Sequence, residues 1–136
     1  MANVMYDPGR EGFLDGSIDW DTGDIRCMLT KSAYIFDAAN KFISDIPAAS
    51  HDNGRSDSLG SKTVTGGIAD AADTSLLATL AVACSAIIIF QHTGSDSSAR
   101  LIAYIDTPTA GLPFTPSAGQ TVNIAWDSGA NRIFKL

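Results

Sequence analysis

Short runs of β-branched and aromatic residues, separated by clusters of Asp, Gly and Ser, dominate the second half of the chain. The clearest run has Val122, Ile124 and Trp126 at alternate positions, which is the two-residue period of a half-buried strand. Turn-forming residues at 127–131 then separate this run from a second one at 132–135. The pattern predicts a β-hairpin over this part of the chain.

The acidic residues also favour strands joined by turns. Fourteen of the fifteen are Asp, which is common in turns and caps, and only Glu11 is the helix-favouring Glu. Further strands are predicted at residues 25–30, 62–65, 74–79, 84–91 and 100–106. Short strands with this spacing are typical of sandwiches and barrels. The predicted fold is therefore mainly β: a small β-sandwich or barrel-like domain with one or two short helices and an extended N-terminal arm.

Helical signals are few and short. Asp7 can cap a helical turn that has Pro8 at its first position. Apolar spacing over residues 36–46 indicates a second short helix. Four alanines in residues 76–86 make a helix there an alternative to the strands predicted on either side.

The length of 136 residues is typical of one domain. Residues 1–20 are predicted to form an N-terminal arm and a short turn, and residues 21–136 a single β-rich domain. Within that domain, residues 48–61 are rich in Ser, Asp, Asn and Gly, and Leu59 is their only large apolar residue. This composition predicts an exposed, mobile loop.

Charge and hydropathy exclude two classes of partner. The net charge is −6, and the nine Lys and Arg residues include no adjacent pair, so we expect no nucleic-acid partner. Residues 76–90 are mostly apolar, but these fifteen residues fall short of the roughly 20 that span a bilayer, so we expect no membrane partner. Residues 1–19 lack an apolar run after a basic start, which predicts that no signal peptide is present.

Catalytic and cofactor motifs are not found in the sequence. Cys27 and Cys84 lie in apolar surroundings and are predicted to be buried, reduced thiols. His51 stands beside Asp52, but no Gly-x-Ser-x-Gly motif surrounds any serine. The glycine pair at 66–67 lacks the Lys and Ser or Thr of a phosphate-binding loop. We therefore expect a protein that is not an enzyme and that needs no cofactor.

Four carboxylates lie close together in sequence, at Asp15, Asp19, Asp21 and Asp24. Carboxylates are the ligands that calcium prefers. However, a calcium-binding EF-hand loop starting at Asp19 would need Gly and Glu where Asp24 and Thr30 stand. We therefore interpret the carboxylates as turn caps that bind backbone amides, and we predict no metal site.

The chain resembles small virion proteins of tailed bacteriophages over nearly its whole length. The segments that carry the resemblance are MYDPGREGFLDG at 5–16, IDW at 18–20, FISDIP at 42–47, KTVTGG at 62–67, RLIAYID at 100–106, GLP at 111–113 and WDSGANRIFKL at 126–136. The resemblance implies a head decoration, or cement, protein that binds and stabilises the assembled capsid lattice. It implies the major capsid protein and further copies of the chain, as a dimer or trimer, as partners. It also implies synthesis in the cytoplasm of the host bacterium and a place on the exterior of the capsid.

The N-terminal segment is the predicted lattice contact, because Tyr, Trp and Arg dominate the energetics of protein interfaces. The candidate interface residues are Val4, Met5, Tyr6, Arg10, Phe13 and Trp20. A segment that folds only against a partner can be removed from the free protein without damage. We therefore expect deletion of residues 2–6 to leave a folded domain that no longer decorates heads.

Two alternative functions remain from the sequence. The first is a structural protein of the tail or of the head–tail junction, which would form rings or tubes. The second is a carbohydrate-binding β-sandwich module, in which Trp20, Trp126 and the tyrosines would line a sugar-binding face. Scattered aromatic residues of this kind more often belong to the core of a β-domain.

Overall fold

The computed structural model describes residues 4–106, 114–126, 129–130 and 132–136. The predicted mainly β fold is confirmed. The strands in this part of the chain are β1 (Val4–Met5), β2 (Ile25–Lys31), β3 (Asp52–Arg55), β4 (Ile68–Ala69), β5 (Thr74–Leu77), β6 (Cys84–Gln91), β7 (Arg100–Ile105), β8 (Thr121–Ile124) and β9 (Phe134–Lys135). They are accompanied by one α-helix, α1 (Asp7–Asp15), and by 3₁₀ turns at Ile43–Asp45, Ala48–Ser50 and Thr65–Gly67.

A five-stranded antiparallel sheet in the order β1-β7-β6-β2-β3 forms the centre of the domain. Its middle strand, β6, is buried on both sides, which explains its continuous apolar sequence. Ile87 and Ile89 belong to a core cluster on one face of the sheet, and Ile88 and Phe90 belong to a cluster on the other face. Both faces of the sheet are covered, so its strands have recognisable apolar runs. The sequence therefore predicted β2, β6 and β7 at the right places.

Two short antiparallel ribbons cover the first of these faces. The β4–β9 ribbon pairs Ala69 with Phe134, and the β5–β8 ribbon pairs Leu76 with Val122. Their inward side chains share one core cluster with β2, β6 and β7. The layers therefore resemble a small sandwich in which the second sheet consists of two separate ribbons. The helix predicted as an alternative over residues 76–86 does not form, because β5 and β6 occupy its two ends.

The predicted C-terminal hairpin is wrong in its pairing. Strand β8 pairs with β5, and β9 pairs with β4, so the two runs lie in different ribbons. Residues 127, 128 and 131 of the expected turn lie outside the described residues. The predicted helix over 36–46 is reduced to the single 3₁₀ turn Ile43–Asp45. The predicted strand over 62–65 is reduced to one bridge between Thr63 and Asp70.

The expected free N-terminal arm is not observed from Val4 onward. Strand β1 pairs with β7, and the Tyr6 amide donates to the Ile102 carbonyl at 3.0 Å. The predicted helical turn exists as α1, but Tyr6 precedes it and Asp7 is its first residue rather than its cap. Tyr6 is fully buried and Met5 is 5% exposed, so deletion of residues 2–6 would remove core side chains. The sequence-based expectation that the chain stays folded without residues 2–6 is therefore wrong, because the deletion removes part of the core.

The predicted exposed loop at 48–61 contains strand β3 at the edge of the main sheet. Asn53 is fully buried there, although its side chain is polar. Its Oδ1 accepts hydrogen bonds from the Thr79 hydroxyl at 2.9 Å and from the Leu80 amide at 2.8 Å, and its Nδ2 donates to the Leu80 carbonyl at 3.0 Å. These bonds satisfy a buried amide that the sequence pattern assigned to solvent. Leu59 is also buried in the core.

Candidate functional site: an apolar groove beside the helix

An apolar groove lies between the C-terminal part of α1, the turn that follows it and the β4–β9 ribbon. We call it the α1–β9 groove. Its volume is about 330 Å³. Its lining residues are Phe13, Gly16, Ile18, Asp19, Trp20, Asp21, Val64, Gly67, Ile68, Ala69, Phe134 and Leu136. Asp19 and Asp21 are the only ionisable side chains among them.

Three aromatic rings form the base of the groove. The Phe13 and Phe134 ring centroids lie 5.8 Å apart, and the Trp20 ring meets Phe134 edge-on at 5.2 Å. The Trp20 indole Nε1 donates to the Asp70 carbonyl at 3.2 Å, which fixes the orientation of its ring. This packing gives the groove a preformed aromatic floor.

The opposite wall leaves apolar side chains in water. Val64 is 51% exposed and Leu136 is 61% exposed. The Leu136 amide donates to the Gly67 carbonyl at 2.9 Å, which holds the two segments of this wall together. Gly67 has a φ of 75°, a left-handed conformation that other residues rarely adopt. The groove therefore keeps part of its apolar lining in contact with water, and this surface is open to another molecule.

The acidic rim of the groove is formed by Asp19 and Asp21. The Asp19 carboxylate accepts hydrogen bonds from the Thr22 hydroxyl at 2.5 Å and from the Thr22 amide at 3.0 Å, and these bonds lower its pKa below the usual value. Asp19 therefore carries a full negative charge at neutral pH. The Asp19 amide donates to the Gln91 side chain at 2.9 Å, which fastens the turn to the main sheet.

Two of the four carboxylates in the predicted cluster, Asp15 and Asp19, act as turn caps, as expected. Asp15 accepts from the Ser17 amide at 2.9 Å and from its hydroxyl at 2.6 Å, in the same way that Asp19 accepts from Thr22. Asp24 instead forms an ion pair with Arg26 at 2.9 Å. Within the described ranges, no group of three or more His, Cys, Asp and Glu side chains is placed to hold a metal ion.

The six candidate interface residues do not form one surface. Phe13 and Trp20 line the groove, but Met5 and Tyr6 belong to the core, and Arg10 forms an exposed ion pair with Asp7. The half-buried Val4 lies on strand β1.

Tyr6 illustrates why a predicted contact residue is instead structural. Its hydroxyl lies 3.0 Å from that of Tyr34, and burial raises its pKa well above the usual range. Trp20 is only 4% exposed, so it supports the groove from beneath instead of projecting into a partner. Sequence reasoning missed three further lining residues, Val64, Ile68 and Phe134, because they are far from Phe13 in the chain.

The remaining reactive side chains are held in structural roles. Cys27 and Cys84 are free and buried, as predicted, and burial raises the pKa of Cys27 to about 11. The His51 Nδ1 lies 2.6 Å from the Pro47 carbonyl oxygen. The Asp52 carboxylate accepts from the Gly54 amide and from the Arg55 guanidinium, each at 2.9 Å. The histidine and its sequence neighbour therefore have separate hydrogen-bond partners.

The aromatic residues considered for a sugar-binding face lie in the interior. Trp126 is 6% exposed, and its indole donates to the Ala72 carbonyl at 3.1 Å. Tyr34 and Tyr104 are each 7% exposed. No helix in the described part of the chain has the length and apolar character needed to cross a membrane.

Comparison with protein-family models, with curated proteins and with solved structures finds no match to this chain. The chemistry of the α1–β9 groove is therefore the basis for inferring a partner.

Proposed function

We propose that this chain is a non-enzymatic virion structural protein that binds the assembled capsid lattice of a tailed bacteriophage and stabilises it as a decoration, or cement, protein. The partner is the major capsid protein, and the site is the exterior of the capsid. The observation that carries the proposal is the open α1–β9 groove, which is lined by Phe13 and Trp20 from the predicted contact segment. The resemblance of the sequence to phage virion proteins supports the same function.

The strength of the groove contact agrees with a role on a repeating lattice. Full burial of a Val or Leu side chain contributes about 1.5–3 kcal/mol. Val64 and Leu136 are roughly half exposed, so covering each contributes on the order of 1 kcal/mol. Association in solution costs about 4–15 kcal/mol in lost freedom, which one such contact does not offset. On a lattice, neighbouring contacts raise the effective concentration and make weak contacts sufficient.

The test is binding of the purified chain to heads that are assembled from the major capsid protein and lack the decoration protein. We expect saturable co-sedimentation of the wild-type chain and a higher melting temperature of the decorated heads. Val64→Lys should weaken binding at least tenfold, because it places a charge on the apolar wall of the groove. Leu77→Lys is the matched control, since Leu77 is 59% exposed and lies outside the groove. Circular dichroism confirms that both variants are folded.

Two results would overturn the proposal. Absence of wild-type binding to heads, together with rings formed by the isolated protein, would indicate a tail or head–tail junction component. Binding of Val64→Lys with wild-type affinity would show that the groove is not the lattice contact.

A further inference from the structure

The groove presents two different chemistries to whatever covers it. Its floor and one wall are apolar, whereas its rim carries Asp19 and Asp21. A purely apolar occupant would displace water from the rim without supplying a partner for the carboxylates, which is unfavourable. A purely polar occupant would leave Val64 and the aromatic floor without apolar contacts. The occupant must therefore combine an apolar part with a positive charge.

Of the two rim carboxylates, Asp19 has a cation of the chain nearby, whereas Asp21 has no ion-pair partner among the described residues. Asp21 is exposed, and its carboxylate makes no hydrogen bond or ion pair to any described residue. Lys62 is close enough to lower the pKa of Asp19, but its Nζ donates to the Gly23 carbonyl at 2.5 Å. This bond braces the turn and leaves Asp21 to a partner.

Lysine and arginine side chains have the shape that the groove requires. Their alkyl stems cover apolar surface while the charged head stays at the rim. The volume of about 330 Å³ lies at the low end of the roughly 300–1,000 Å³ of small-molecule pockets and leaves room for one long side chain.

We infer that the α1–β9 groove receives a lysine or arginine side chain from an extended segment of the partner, with the alkyl stem on Phe13, Phe134 and Val64 and the charged head between Asp19 and Asp21. This inference deepens the proposed function and rests on it for the identity of the partner, the capsid subunit. The chemistry of the groove is testable on the isolated protein.

The experiment titrates the ¹⁵N-labelled full chain with three blocked pentapeptides, acetyl-Gly-Ala-X-Ala-Gly-amide, in which X is Arg, norleucine or Glu. We expect the Arg peptide to shift the amide resonances of Asp21 and Ala69 and the indole resonance of Trp20. The norleucine peptide should bind at least fivefold more weakly, because it supplies the stem without the charge. The Glu peptide should produce no shift at these positions.

Two charge reversals test the rim. Asp21→Lys should abolish the preference for the Arg peptide over the norleucine peptide. Glu11→Lys is the matched control, because it changes the net charge equally and lies on exposed α1 surface outside the groove. The control should keep the preference.

Each opposing result has a definite meaning. Equal binding of the Arg and norleucine peptides, or an unchanged preference in Asp21→Lys, would overturn the inference. Shifts of the same resonances with protein concentration alone would identify a second copy of the chain as the occupant and would also overturn it. If wild type and Asp21→Lys bind heads equally well, the inference fails and the proposed function stands. If the Arg peptide binds but heads do not, the proposed function fails instead.

Discussion

Gly9 marks the closest approach of α1 to the main sheet, and its replacement by Ala tests whether residues 4–20 are part of the fold. A Cβ atom at this position would lie 2.8 Å from the Leu101 carbonyl oxygen, 2.9 Å from the Ile102 carbonyl oxygen and 3.1 Å from the Ile102 Cα. All three are backbone atoms of β7. Because β7 is hydrogen-bonded to β1 on one side and to β6 on the other, these atoms cannot rotate out of the way.

Two effects of opposite sign act in the Gly9→Ala variant. In an exposed helix, Ala is more stable than Gly by roughly 0.5–1 kcal/mol. Forcing an extra methyl group into a packed interface costs about 1–3 kcal/mol. The steric effect should win, because α1 must move away from β7 to relieve three backbone contacts at once. We expect a net loss of about 1–2 kcal/mol in the free energy of unfolding.

Urea unfolding followed by circular dichroism measures this loss. Small domains have m values of about 1–3 kcal/mol/M; with m at about 2 kcal/mol/M and unchanged by the substitution, the midpoint should fall by about 0.5–1 M. Glu11→Ala is the matched control, because this side chain is exposed on the same helix and its change should stay within about 0.5 kcal/mol. If Gly9→Ala is as stable as wild type or more stable, α1 does not pack on β7, and residues 4–20 would again be a free arm.

Acid sensitivity and thiol state provide two further predictions. The Arg55 guanidinium donates two hydrogen bonds to the Asp96 carboxylate, at 2.8 and 3.0 Å, and these bonds lower the pKa of Asp96 below its usual value of 3.8. The ion pair therefore stabilises the folded state above about pH 4. This contribution is lost as the pH falls through the pKa that Asp96 has in the folded protein. Asp96→Asn should therefore lower the free energy of unfolding at pH 7 by less than about 1 kcal/mol. It should also flatten the decline of this free energy as the pH falls below about 4, and an unchanged decline would contradict the pairing. Thiol titration without reductant should find two reactive groups per chain after unfolding, and Cys27 should react slowly in the folded protein at pH 8, because burial raises its pKa to about 11. A titre of zero after unfolding would mean that a disulfide is present.

The strands that the sequence predicted correctly are those with a strong local signal. Strand β6 has an unbroken run of Ile residues followed by Phe90, and both of its faces are buried. Its neighbours β2 and β7 have similar runs. Such a segment is recognisable without knowledge of its partners, because burial on both faces requires apolar side chains at every position.

Pairing in the two ribbons could not be predicted in the same way. The turn residues at 127–131 favoured a local hairpin, but β8 and β9 pair with strands about 50 and 65 residues earlier in the chain. Each strand in the β4–β9 ribbon has only two residues, which is too short for a period to be detected. The partner of each strand is decided by the core that both ribbons share, which is a long-range property.

Two predictions were wrong: that residues 1–20 form a free arm and that residues 48–61 form an exposed loop. In both segments a glycine or a polar residue lies in the interior instead. Gly9 and Gly12 lie in the segment that the sequence predicts to fold only against a partner, yet both are buried where α1 approaches the sheet. Asn53 was assigned to an exposed loop, yet its amide binds the backbone of residue 80 in the interior. Glycine and asparagine occur both in flexible exposed segments and in packed interiors. Only the surrounding structure decides between these two roles.

The two walls of the α1–β9 groove differ in how firmly they are held. One wall is formed by α1, which also contributes Phe13 to the floor and packs on the five-stranded sheet through Gly9. The opposite wall includes Ile68, which lies in a ribbon of two residue pairs, and Val64, which precedes that ribbon; the nearby ion pair between Arg132 and Asp70 spans 3.9 Å. Segments with so few backbone hydrogen bonds open at lower free energy than central strands. The groove thus has one fixed wall and one adjustable wall. Under the proposed function, the ribbon wall is the side of the groove that would adjust to a bound basic side chain.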